Sequence, residues 1–195
     1  LEEITSIGHR MVHGGRAFPK SVKITPEVKE KLSTLIPLAP LHTPLEIEAI
    51  DYMQRLCPRA SAIAVFDTSF HRSLKEPAKV YPGPFSWYEE GVERYGFHGI
   101  SHQYCSRRAA EMTGRELSSL KMVVCHLGSG ASLCAIDQGK SVDTTMGMTP
   151  LDGLMMATRS GSIDPGIISY LVKQKKLCIE TISEILYKSS GLLGL

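Results

Sequence analysis

Met122-Val123-Val124-Cys125-His126-Leu127, Gly128-Ser129-Gly130 and Ala131-Ser132-Leu133-Cys134-Ala135-Ile136-Asp137, followed by Gln138-Gly139, form the stretch on which the fold turns. The apolar run over 122–127 predicts a buried strand, the Gly-Ser-Gly break a tight turn, and 132–137 a partner strand. Gln138-Gly139 is a hairpin dipeptide, so a third strand is expected over 141–144. Upstream, Ser101 is placed to cap a helix that runs to Met112 and stops at Gly114. Downstream, residues 150–158 look helical, Asp164-Pro165 opens another helix, and Thr181 with Glu184 makes a capping box for a last one.

Farther toward the start, residues 70–99 are rich in proline, glycine and aromatics, which predicts a long ordered excursion with a short helix near 87–90. Ala62 to Phe66 is a continuous apolar run ending on Asp67, as expected of a strand buried on both faces. A helix opens at Pro26 and carries Val28, Leu32, Leu35 and Ile36 at helical spacing. A second is expected from Pro44 to Leu56, with Thr43 as its N-cap and Leu45, Ala49, Tyr52, Met53 and Leu56 on its apolar face. Ile4 to Ile7 leads into Gly8-His9-Arg10-Met11-Val12-His13-Gly14-Gly15, which reads as a loop closed by its glycine pair. Alternating strands and helices make this an α/β protein, with a domain boundary expected near residues 67–70.

The 195 residues carry 22 Lys plus Arg against 20 Asp plus Glu, a net charge of +2. That balance leaves no basic footprint for nucleic acid or an anionic membrane. Hydrophobic residues make up 43%, enough for a core, and no apolar run approaches the roughly 18 residues of a membrane span. The chain begins at Leu1 and shows no signal-peptide pattern. Its five cysteines, Cys57, Cys105, Cys125, Cys134 and Cys178, form no C-x-x-C pair. Buried free thiols in a reducing compartment, by default the cytoplasm, are expected.

Several segments could carry chemistry. In the segment Cys125 to Ser132, the glycines Gly128 and Gly130 let backbone N–H groups converge on phosphate oxygens and the two hydroxyls, Ser129 and Ser132, add donors, or the glycines simply serve the turn. Arg159, in Thr158-Arg159-Ser160-Gly161, and Arg10 each present a fork that matches two oxygens of a phosphoryl or carboxylate group, or are solvated surface arginines. Two such arginines facing one anion would explain both. His9 with His13 and His98 with His102 have HxxxH spacing, but neighbouring glycines break the helix that a zinc site would need. His98, between Phe97 and Gly99, can approach a ligand closely or be a hydrogen-bonded core histidine. Asp67 lies where α/β folds place reactive carboxylates, at the end of a strand, or it caps its own turn.

Taken together, the segments resemble the acetokinase family of the acetate and sugar kinase, Hsp70 and actin superfamily. Gly8 to Gly15 resembles the family's G-H-R-x-V-H-G-G, Ala39-Pro40-Leu41-His42 its A-P-L-H, Phe66 to His71 its F-D-T-x-F-H, and Arg94 to His102 its R-Y-G-F-H-G-x-S-H. The resemblance implies a ribonuclease H-like, actin-type ATPase fold in two domains, both incomplete here, over 1–68 and 69–195. It implies reversible phosphoryl transfer between ATP and acetate, giving ADP and acetyl phosphate, with Mg²⁺ as cofactor and a homodimer as the assembly. Arg10 and Arg159 would hold acetate and the phosphoryl in flight, and His98 would donate to its equatorial oxygens. Asp67 would be a catalytic acid-base or metal-orienting carboxylate. Val12, Leu41, Phe97 and Pro150 would enclose the acetate methyl, with His42 in support, and His126, Leu127, Gly128, Ser129 and Gly130 would line the ATP phosphates.

Three departures qualify the resemblance. Ser129 stands where the family has Asn, which shortens the reach to phosphate, and Ser162 stands where it has Asp. The family's N-terminal phosphate loop and its C-terminal adenosine segment with an acidic Mg²⁺ ligand have no counterpart in the chain. The isolated chain is therefore expected to be inactive and prone to associate. A propionate kinase of the same family, a non-catalytic acyl phosphate or nucleotide-binding remnant, and a zinc hydrolase are the alternatives.

Overall fold

The computed structural model describes residues 3–195; Leu1 and Glu2, at the start of the expected first domain, lie outside them. Strand β1 (Ser6–Met11) pairs in parallel with β3 (Ser61–Phe66), and the two-residue β2 (Val22–Lys23) pairs antiparallel on the other side of β3. The crossover from β2 to β3 holds α1 (Pro26–Ser33) and α2 (Thr43–Leu56). Thr25 caps α1 by accepting from the Val28 N–H at 3.3 Å, and Pro26 fills the first helical turn, where its missing N–H costs nothing. Met11, Leu32, Ile50, Ala64 and Phe66 have no exposure and form one core, with Phe18 stacked on Phe66 at 4.9 Å.

The second sheet is the meander foreseen from the Gly-Ser-Gly stretch. Strands β4 (Lys121–Leu127), β5 (Ala131–Asp137) and β6 (Lys140–Thr144) pair antiparallel in that order. Gln138 and Gly139 take φ of 52° and 76°, the paired left-handed conformations that let a two-residue hairpin follow the strand twist. A smaller core of Val12, Phe97, Ala131, Met146 and Met156 joins this sheet to the end of β1. The excursion between the sheets contains a 3₁₀ turn at Ser69–Ser73 and short helices α3 (Glu76–Lys79) and α4 (Phe85–Glu89), before α5 (Gly99–Met112) packs on β4. Helices α6 (Pro165–Lys175) and α7 (Ile179–Lys188) close the chain, with Asp164 capping α6 through the Gly166 N–H at 2.8 Å.

Several local expectations fail. Gly8 to Met11 are strand, not loop, because they pair with Ile63 to Phe66. Residues 150–158 form no helix: Gly153 sits at φ 105°, outside the helical region, and exchanges hydrogen bonds with Ser162. The caps also shift. His42 rather than Thr43 precedes α2, His98 rather than Ser101 precedes α5, and Cys178 precedes α7, so Thr181 and Glu184 lie inside that helix. On α2 the expected apolar face is largely exposed, with Leu45, Tyr52 and Leu56 outward, while Ile50 and Ile47 face the core. Strand β4 is an edge strand with Val123 and Leu127 exposed, and β3 alternates buried and half-buried residues. Only Cys57 and Cys134 of the cysteines are buried.

Candidate active site

Arg10 and Asp67 stand at the carboxyl ends of adjacent parallel strands, the edge at which open α/β sheets bind ligands. The Arg10 guanidinium donates through Nη2 to Asp67 Oδ2 at 2.6 Å and through Nε to Oδ1 at 3.2 Å. This bidentate pair raises the arginine pKa further and fixes the plane of the fork. Behind it, Glu46 of α2 accepts from the Val12 N–H at 2.9 Å, while its second oxygen is buried without a partner. Burial raises the Glu46 pKa, against the pull of the Val12 N–H and Arg10.

His98 is delivered to the same edge by the start of α5. The Gly99 N–H donates to the Asp67 carbonyl at 2.9 Å, and any side chain at Gly99 would collide with that carbonyl. His98 takes φ 57° just before this contact. Its ring stacks on His126 at 4.0 Å, and its Nδ1 lies 2.9 Å from Ser132 Oγ. Burial, then the neighbouring His126, Arg10 and Arg159, pulls the His98 pKa down to about 4, so the ring is neutral at pH 7. His126 in turn meets Ser101 Oγ through Nδ1 at 2.9 Å.

Arg159 arrives on a loop tied down from three directions. The Ala157 N–H donates to Ser129 O, the Thr158 hydroxyl to Tyr187 O, and the Ser190 N–H to Thr158 O. Arg159 Nη1 donates to Pro150 O at 3.1 Å. A Cβ on Gly130 would lie 3.3 Å from His98 Nε2 and 3.4 Å from Arg159 Nη1, so this glycine keeps the ground between imidazole and guanidinium open. The expected Gly-Ser-Gly turn is present, closed by Gly128 N–H to Gly130 O at 3.1 Å.

Beside these cations lies a cleft of about 340 Å³, lined by Val12, Ala39, Leu41, His42, Pro150 and Tyr187 among others. Burial, followed by Arg159 and Arg10, lowers the His42 pKa. Phe97 does not line the cleft; it is buried behind Val12 in the smaller core. Thus Arg10, Asp67, His42, His98, Pro150 and Arg159 come together, while Leu127 is exposed on the edge strand. Glu46 carries no signal in the sequence. His102 stands out only as the partner of His98 in HxxxH spacing, and the Ser132 hydroxyl, expected at the phosphate turn, is buried against both imidazoles.

The model of the acetokinase family matches residues 1–195. The chain belongs to this family. It is 54% identical over its whole length to an acetate kinase of Microcystis aeruginosa, of which it covers 49%, and 50% identical to an acetate kinase of Protochlamydia amoebophila, again covering 49%. Among solved structures it is similar to the acetate kinase of Porphyromonas gingivalis, with a TM-score of 0.92 at 45% identity, covering 99% of this chain and 49% of that one. It is also similar to a propionate kinase from Francisella tularensis, with a TM-score of 0.94 at 44% identity, covering 99% of this chain and 50% of that one. The chain therefore spans about half the length of the acetokinase relatives it matches. Its fold is a portion of the actin-type ATPase architecture. No helix among the described residues is long and apolar enough to cross a membrane.

Proposed function

We propose that this chain forms the acyl-phosphate side of an acetate kinase active site. In the reaction an acetate oxygen bonds to the γ-phosphorus of ATP as the bond to the β–γ bridging oxygen breaks, leaving ADP and acetyl phosphate. Such a transfer asks little covalent chemistry of the protein and much charge neutralisation and alignment. The observation that carries the reading is the meeting of two surfaces. His98 and Arg159 face open ground at Gly130, Arg10 is close enough to help lower the His98 pKa, and a small apolar cleft adjoins them at Val12, Leu41, His42 and Pro150.

Arg10 and Arg159 bind the carboxylate and the phosphoryl, His98 donates to the equatorial oxygens, and Asp67 holds Arg10 in plane. The turn from His126 through Leu127, Gly128 and Ser129 to Gly130 borders the nucleotide phosphates. Magnesium comes with the nucleotide. Among the described residues no three His, Cys, Asp or Glu side chains are grouped to hold an ion, and both Asp67 oxygens are engaged by Arg10. A metal that keeps several waters and binds mainly through substrate phosphates suits that donor set. Residues 1–68 and 69–195 act as parts of two domains, in a cytoplasmic homodimer that binds neither nucleic acid nor membrane.

Thermal melting with acetyl phosphate tests the reading. Saturating acetyl phosphate should raise the Tm, and Arg10→Ala and Arg159→Ala should abolish the rise. No stabilisation of the chain would overturn it. The chain alone should give no hydroxamate from ATP and acetate, and multiple turnovers would refute that part. Propionate is the second reading, favoured by the likeness to a propionate kinase. Val12 narrows the cleft against the extra methylene, by a margin of only about 1–3 kcal/mol.

A further inference from the structure

Ser132 is a fully buried hydroxyl between two imidazoles. Its Oγ lies 2.9 Å from Nδ1 of His98 and 2.8 Å from Nε2 of His102. The hydroxyl has one proton, which serves one ring, so the other ring must donate its own N–H to the oxygen. Two arrangements satisfy this. In one, His102 donates from Nε2 to Ser132, Ser132 donates to Nδ1 of His98, and His98 carries its proton on Nε2. In the other every donor reverses, and His102 carries its proton on Nδ1.

His102 Nδ1 decides between them. It is buried and has no hydrogen-bond partner. An orphaned buried N–H is rarer and costlier than a bare acceptor, because the donor forfeits its solvation without replacement. We propose that Ser132 and His102 are positioning residues that hold His98 in its Nε2–H form, so that the ring presents a donor to an anion lying between it and Arg159. The functional side of this inference rests on the acyl-phosphate reading; the tautomer itself does not.

Three observations make the device matter. Burial, the first cause in both rings, holds His98 at about 4 and His102 at about 3, so at pH 7 each ring has a single N–H. His98 is fixed by its left-handed backbone and its stack on His126. Its Nε2 is the ring atom nearest the clearance at Gly130, with Arg159 Nη1 on the far side. In the opposite tautomer a lone pair would face the phosphoryl oxygens, and the site would repel the charge it must stabilise.

Long-range ¹H–¹⁵N correlation NMR of the imidazole-labelled chain, at pH 7.5 without ligand, reads the tautomers directly. His98 and His102 should both appear protonated at Nε2, and a His98 protonated at Nδ1 would overturn the proposal. Ser132→Ala should lose the single tautomer at His98, Ser132→Thr should restore it, and His102→Gln, whose amide can donate from the same side, should keep it. A pure Nε2–H form of His98 in folded Ser132→Ala would also overturn it. His71, whose Nε2 donates to Phe97 O at 2.9 Å, serves as the reference for an intact fold. If a Ser132 variant disturbs His71, the native spectrum and His102→Gln decide. Acetyl phosphate that fails to stabilise a chain whose His98 is Nε2–H refutes the acyl-phosphate reading and leaves the tautomer relay standing.

Discussion

Arg10 clasps Asp67 across the ends of two parallel strands, with the arginine side chain 61% exposed and the carboxylate 3%. The exposed partner therefore controls the fate of a buried charge. Removing it strands the carboxylate, whereas removing the carboxylate leaves a solvated arginine. Arg10→Ala should cost about 2 kcal/mol, a fall in Tm of roughly 4–8 °C for a chain this size. Asp67→Asn should cost less. Arg10→Lys should recover part of the stability and none of the acetyl phosphate binding, since an ammonium has no planar fork. Thermal melts of the three variants with and without acetyl phosphate separate the two effects.

Acid should destabilise the chain well above the range in which carboxylates titrate. Burial lowers His13, His71 and His98 to about 4 and His102 to about 3. Between there and the unfolded value of about 6.5, the unfolded chain binds more protons, so stability is full above pH 6.5 and falls as the pH drops toward 4. His71, buried between Ser141 and Phe97, should contribute on the order of 3 kcal/mol to that fall. A Tm that is flat from pH 6.5 to 4.5 would contradict this, and His71→Asn should flatten the slope by its share.

Gly130 and Gly128 should part company. Alanine at 130 puts its methyl within 3.4 Å of both His98 Nε2 and Arg159 Nη1, whereas at 128 the nearest atom is the Gly130 carbonyl at 3.4 Å. Gly130→Ala should melt within about 0.5 kcal/mol of native and bind acetyl phosphate roughly tenfold more weakly. Gly128→Ala should bind it as the native chain does. Equal affinity in both variants would remove Gly130 from the anion ground.

Gly99→Ala should be strongly damaging for a single methyl. The added atom meets the Asp67 carbonyl and Phe70 Cβ, neither of which is the free end of a flexible side chain. A cost of about 3 kcal/mol or more is expected, from strain at a packed backbone crossing. A near-native Tm would show that the strand end and α5 can separate.

Strand β4 offers an unpaired edge with Val123 65% and Leu127 73% exposed. Concentration-dependent association of the chain should follow, and Val123→Lys should suppress it. Light scattering across a dilution series would record it.

The second sheet was legible because its determinants are local. A Gly-Ser-Gly turn and a Gln-Gly hairpin enforce the pairings of 122–127 and 131–144 whatever surrounds them. The caps were not, because distant contacts choose them. Ser101 has the right side chain, but the demand that Gly99 reach Asp67 starts the helix three residues earlier and turns Ser101 toward His126. Residues 150–158 have helical spacing and lose to Gly153, whose carbonyl and N–H are claimed by Ser162. In the site, Arg10, Asp67, His98 and Arg159 were found through long motifs. The hold of Glu46 on the Val12 N–H and the contact of Ser132 with both imidazoles become visible only when strands and helices meet.

The hydrogen bond from Gly99 to the Asp67 carbonyl has a mechanical consequence. It closes the excursion between the two sheets, joining the end of β3 to the start of α5. Asp67 with the fork it holds, and His98 beside the bond, must therefore travel together in any opening or closing motion. Arg159 is anchored to Pro150, the Gly-Ser-Gly turn and α7, and the two strands joined by that turn also carry His98, through His126 and Ser132. Arg10, His98 and Arg159 are thus tied through one connected set of contacts, and the clearance at Gly130 keeps its width unless those contacts break.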